Sequence, residues 1–159
     1  MKILALDVST QHVGWCDGID GVIRGSSCFS PQGDLWERLI QIERWATTHA
    51  CGTRRPDMVA FEEPRGNHHN MHTNIVLGYA NGVILAPFMR YGVEILPVHV
   101  MQIKATGVHK GATRVAAATV GKAPDAVGPD EADAIGCWLV AEAERKRRGW
   151  EAERDADSG

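Results

Sequence analysis

No two of the four cysteines, Cys16, Cys28, Cys51 and Cys137, form a Cys-x-x-Cys pair. That excludes the usual structural zinc spacing and leaves no framework of paired disulfides. Reduced thiols, as in the cytoplasm, are expected. A long apolar run is also lacking at the start, where Ile3-Leu4-Ala5-Leu6 meets a carboxylate at Asp7. The run is too short for a signal peptide or a membrane span, so a cytoplasmic protein with no membrane partner is expected. Repeats and linkers are absent as well, and 159 residues read as one domain large enough to bury its own core.

The third scarcity is local. Between Glu63 and Asp125 the only acidic residue is Glu94, while Arg65, Arg90, Lys104, Lys110, Arg114 and Lys122 fall there with five histidines, His68, His69, His72, His99 and His109. The net charge of −3 therefore conceals a basic middle that could face a polyanion or simply be solvated. An ordinary 44% hydrophobic and 23% charged composition argues only against disorder.

Periodicity supplies the elements. Lys2 to Val8, Val13 to Cys16 and Val22 to Gly25 read as three antiparallel strands, with Asp17-Gly18 and Asp20-Gly21 as hairpin signals. Leu35, Leu39, Ile42 and Ala46 or Trp45 recur at helical spacing between Gly33 and Ala50. Asp57 to Glu62 is a short buried strand between Pro56 and Pro64. A polar stretch from Arg65 to Asn70 leads into a helix limited or kinked by Pro87, in which Gly78, Asn81 and Gly82 form a small-residue patch suited to a sheet or a partner's backbone. Val93 to Pro97 reads as a fifth strand, followed by short helices near Val100 to Ala105 and Ala112 to Lys122. A last helix starts at Pro129 or Asp130 and ends in Arg145-Lys146-Arg147-Arg148. This order implies an α/β fold, a five-stranded mixed sheet with helices on both faces, over residues 1–148, and a flexible acidic tail over 149–159.

The chemistry lies in the carboxylates. Asp130 and Asp133, three apart, share one face of the first helical turn, where acidic residues are also favoured without any function. Asp7 and Glu62 each end an apolar strand, so all four could converge on one edge of the sheet. Hard cations such as magnesium take oxygen ligands, and two of them about 4 Å apart suit phosphodiester hydrolysis.

Ile3-Leu4-Ala5-Leu6-Asp7-Val8-Ser9, Val59-Ala60-Phe61-Glu62 and Asp130-Glu131-Ala132-Asp133-Ala134-Ile135 resemble, in order and spacing, the acidic motifs of RuvC-type Holliday junction resolvases. Ile103 to Gly111 resembles the basic segment that precedes their last acidic helix, and the likeness spans roughly residues 2 to 143. It implies an RNase H-like fold, a homodimer, two Mg2+ or Mn2+ ions per active site, and paired nicks in a four-way DNA junction. It also implies metal ligands, and so catalytic residues, at Asp7, Glu62, Asp130 and Asp133. Lys104, Lys110 and Arg114 would hold the DNA backbone by charge. Three residues after Glu62 the resemblance implies an aromatic, but this chain has Arg65, so the loop is expected to touch DNA through Arg65, Asn67 and His68 instead.

A broader nuclease for flaps or other branched DNA would use the same carboxylates, and a junction-binding protein without catalysis would have no use for them. Leu6-Asp7-Val8-Ser9-Thr10 also suits a phosphate loop of an actin-like ATPase, but no second lobe is available to bind adenine, and no nucleotide cofactor is expected. His68 and His72 are spaced for a shared metal but lack a third ligand. Trp36, Trp45 and Trp138 are expected to pack in the core, and Glu63 and Glu131 to point away from the site.

Overall fold

Side chains along β1 (Lys2–Val8) alternate between two cores: Ile3 and Ala5 enter one, Leu4, Leu6 and Val8 the other. A strand buried on both faces belongs in the middle of a sheet with helices on each side. The computed structural model, which describes residues 1–53, 55–64 and 71–157, has this architecture. One five-stranded sheet runs in the order β3-β2-β1-β4-β5. β2 (Val13–Ile19) and β3 (Val22–Phe29) are antiparallel to their neighbours, whereas β4 (Met58–Glu62) and β5 (Glu94–Val98) run parallel to β1.

The hairpin between β2 and β3 turns on Asp20 and Gly21, both at positive φ. The other Asp-Gly pair makes no turn. Asp17 and Gly18 lie inside β2 at a register shift against β3, with Gly18 beneath the Trp138 ring. Pro97 sits in β5, an edge strand that among the described residues pairs with β4 alone, where a missing N–H costs little.

α1 (Leu35–Cys51) begins at a capping box in which Asp34 and Glu37 accept from each other's backbone N–H at 2.9 Å. It buries Leu39, Ile42, Ala46 and Ala50. α2 (Met71–Arg90) adds Ile84 and Phe88 to the same core. Pro87 does not end α2, which continues to Arg90. Gly78 and Gly82 do not pack on the sheet: nothing within 4 Å would meet a Cβ on either.

The opposite face is covered by α3 (Val100–Ala105), α4 (Thr113–Thr119) and α5 (Pro129–Asp157). Ile103, Ala117, Ile135 and Trp138 pack there on Ile3, Met58 and Ala60. Burying an isoleucine or methionine there stabilises the fold by about 1.5–3 kcal/mol, and an alanine by less. α5 is drawn close by two glycines. A Cβ on Gly14 would lie 2.1 Å from the Asp130 carbonyl oxygen, and one on Gly136 2.1 Å from that of Val108. α5 also continues into the acidic segment, as far as Asp157.

Of the three tryptophans expected in the core, Trp138 is buried and Trp45 half-buried against Phe29. Trp36 is 64% exposed and lies against Tyr79, itself 47% exposed, at 6.2 Å between ring centroids. It sits in the first turn of α1, three residues before Leu39, the first buried residue of the stripe that faces the sheet.

Candidate metal centre

The period of two that buries Ile3 and Ala5 under α5 also turns Asp7 toward α5. The same parity carries Met58, Ala60 and then Glu62 to that face of β4. β1 and β4 pair in parallel register up to Leu6 and Phe61, and Asp7 and Glu62 are each the next residue. The two carboxylates are therefore neighbours at one edge. α5 adds Asp133, which is 1% exposed, from above.

Ligand oxygens of Asp7, Glu62 and Asp133 all lie within 4.8 Å of one another. Asp133 is held by Lys110, whose backbone N–H donates to Oδ1 at 2.7 Å while its ammonium stands 3.0 Å from Oδ2. Burial would lower the Lys110 pKa, but the hydrogen bond and charge of Asp133, with Asp7 and Glu62 beyond, raise it overall. Burial also pushes the Asp7 carboxyl up to about 8, and the charges of Glu62, Asp133 and Asp130 add to this, with Lys110 opposing. At neutral pH Asp7 thus retains a proton unless a cation neutralises the cluster. An all-oxygen donor set of this charge fits a hard divalent cation.

Asp130 stands at the start of α5, and its charge acts on Asp7. Its ligand oxygen, however, groups with His12 and Cys28, also within 4.8 Å of one another. Neither His12 nor Cys28 stood out in the sequence, because each is solitary there. Glu131 points away from the cluster: it is buried, accepts from Ser26 Oγ at 2.7 Å and pairs with Lys122 Nζ at 2.6 Å. Lys122 is therefore a strut between β3 and α5 rather than a surface cation. Glu63 is exposed beyond the strand end.

Among the residues expected to meet a polyanion, Lys110 lies at the carboxylates, while Lys104 on α3 and Arg114 on α4 are exposed. Arg65, Asn67 and His68 lie outside the described residues. His72 is exposed in the first turn of α2.

A five-stranded mixed sheet of this order, with helices on both faces and acidic side chains at the ends of its first and fourth strands, is the RNase H-like α/β fold. Within that fold the chain is similar to RuvC of Thermus thermophilus. One structure, of that RuvC in complex with a Holliday junction substrate, matches with a TM-score of 0.74 and 22% identity over 92% of this chain and 96% of the other. A second Thermus thermophilus RuvC structure matches with a TM-score of 0.70 at the same identity and coverage. No protein-family profile and no curated protein sequence matches the chain. Among the described residues no helix is long and apolar enough to cross a membrane.

Proposed function

We propose that this protein is a structure-selective DNA endonuclease that resolves Holliday junctions by paired, divalent-metal-dependent hydrolysis of phosphodiesters. The observation that carries this reading is the convergence of Asp7, Glu62 and Asp133 on one sheet edge of a fold similar to RuvC. Asp7, Glu62 and Asp133, with Asp130 beside them, would hold Mg2+ or Mn2+. Once bound, such ions would supply a more acidic water and neutralise charge on a phosphate.

The chain's own residues account for the rest. The backbone N–H of Lys110 orients Asp133, and the Lys110 ammonium, more than half exposed, is placed to meet a phosphate once a cation satisfies Asp133. Lys104 and Arg114 extend that positive surface, and Arg65, Asn67 and His68 complete the proposed DNA contacts. A homodimer would present two such sites to the two strands that must be nicked. Exposed Trp36, Ile40, Met71, Ile75 and Tyr79, together with the open backbone at Gly78 and Gly82, favour the α1–α2 face as its interface.

The test is cleavage of a synthetic four-way junction with Mg2+ or Mn2+, run beside flap and linear duplex substrates and an Asp7→Asn variant. Symmetric nicks confined to the junction and lost in the variant are expected. Equal cutting of flaps and junctions would replace the resolvase with a general branched-DNA nuclease. Absence of metal-dependent cleavage on every substrate would overturn the function.

A further inference from the structure

Four residues form a row across the sheet: Cys28 on β3 opposes Gly14 on β2, Gly14 opposes Asp7 on β1, and Glu62 on β4 follows. All face α5. Gly14 has no side chain, and the Asp130 peptide occupies the space above it. Asp130 thus stands between the carboxylates on one side and Cys28 on the other, and its charge acts on both Asp7 and Cys28. His12 reaches the same place from the residue before β2, and its Nδ1 is held by Ser30 Oγ at 3.0 Å, leaving Nε2 as the ring nitrogen for a ligand.

We propose that His12, Cys28 and Asp130 form a second metal site, for zinc or a cation of similar softness, beside the all-oxygen cluster. The donor chemistry separates the two. Imidazole and thiolate favour borderline cations such as zinc, whereas carboxylates alone favour magnesium or manganese. At zinc–ligand distances of about 2.0–2.3 Å, tetrahedral corners lie about 3.4–3.6 Å apart. Donor atoms now within 4.8 Å need to close by little more than 1 Å, which rotation of the exposed His12 and Cys28 side chains supplies. Three protein ligands leave the fourth corner to water or an incoming oxygen. The contact of His12 with Ser30 is the kind of outer hydrogen bond that fixes a ligand ring. Because Asp130 is shared, zinc bound here would draw it away from the oxygen cluster.

The proposal does not depend on cleavage, so its test reads binding. The full-length, reduced, metal-free protein is titrated with Co2+ while the near-ultraviolet thiolate-to-cobalt charge-transfer absorption is followed, and Zn2+ is then added. The expected result is one charge-transfer Co2+ per chain, displaced by Zn2+, and retained both in Asp7→Asn and in Cys51→Ser, which removes the other exposed thiol. It is lost in Cys28→Ser, and Ser30→Ala binds about tenfold more weakly. Circular dichroism of the near-isosteric Cys28→Ser confirms its fold. No charge-transfer band in the natural protein, or a band that survives in folded Cys28→Ser, would overturn the site.

Discussion

Lys110 grips Asp133 twice, with its backbone N–H at 2.7 Å and its ammonium at 3.0 Å. Only the second contact belongs to the side chain, so Lys110→Met removes the ammonium and leaves the carboxylate oriented. If the lysine meets a phosphate, the variant binds junction DNA more weakly by a similar factor on every sequence. The slope of log affinity against log salt falls by about 1. Fluorescence anisotropy over a salt series measures this, and an unchanged slope would confine Lys110 to holding Asp133.

Asp7 resides where an ionised carboxylate is unwelcome, which predicts opposite effects on function and stability. Asp7→Asn removes both the titrating group and the repulsion from Glu62, Asp133 and Asp130. Metal-free Asp7→Asn is expected to be more stable than the natural protein at pH 8 by about 1–2 kcal/mol, while cleavage is abolished. Calorimetry beside the junction assay decides it. A destabilised variant would mean that the Asp7 carboxylate is compensated in the free protein.

The same carboxyl fixes a pH dependence. Its folded value of about 8 lies above the ordinary 3.8, so between them the folded chain holds a proton that the unfolded chain has released. Stability of the metal-free protein from this group is therefore lost as pH rises from about 4 to about 8. Mg2+ binding, which displaces the proton, weakens as pH falls below about 8. Melting temperatures with and without Mg2+ across this range should converge at the acid end and separate at the alkaline end.

Gly14 sets the height of α5 above the sheet. Gly14→Ala places a Cβ 2.1 Å from the Asp130 carbonyl oxygen, against backbone that cannot rotate aside. A loss of about 2–3 kcal/mol is expected, with cleavage reduced by more than the loss of folded protein explains, because Asp130 and Asp133 move with the helix. Urea unfolding and activity per folded molecule separate the two effects.

Gly82 offers the contrast. Gly82→Ala meets nothing within 4 Å and replaces a helix-interior glycine, so the monomer should gain up to about 1 kcal/mol. Gly82→Leu should shift sedimentation from dimer to monomer if α2 faces a partner, and unchanged sedimentation would move the interface elsewhere.

What the sequence determined was whatever depends on local pattern. Loose alternation in Lys2 to Val8 and the short apolar run of Asp57 to Glu62 between Pro56 and Pro64 defined two strands, each with a carboxylate near its end, and the i, i+3 spacing of Asp130 and Asp133 put both on one helix face. The Asp-Gly hairpins were half legible, because Asp17-Gly18 carries the same residues as Asp20-Gly21 but is kept in the strand by its neighbours and by Trp138 above it. Trp36 looked like core because spacing alone cannot say where a stripe starts to face the sheet. Only the tertiary structure decided which groups meet. Parallel register made Asp7 and Glu62 neighbours across 55 residues, and the Lys110 loop closed on Asp133 from 23 residues away. The residue before β2, strand β3 and helix α5 brought His12, Cys28 and Asp130 together. Such juxtapositions arise from strand order and helix docking, in which distant residues become adjacent because apolar faces must be buried, and no periodicity along the chain records them.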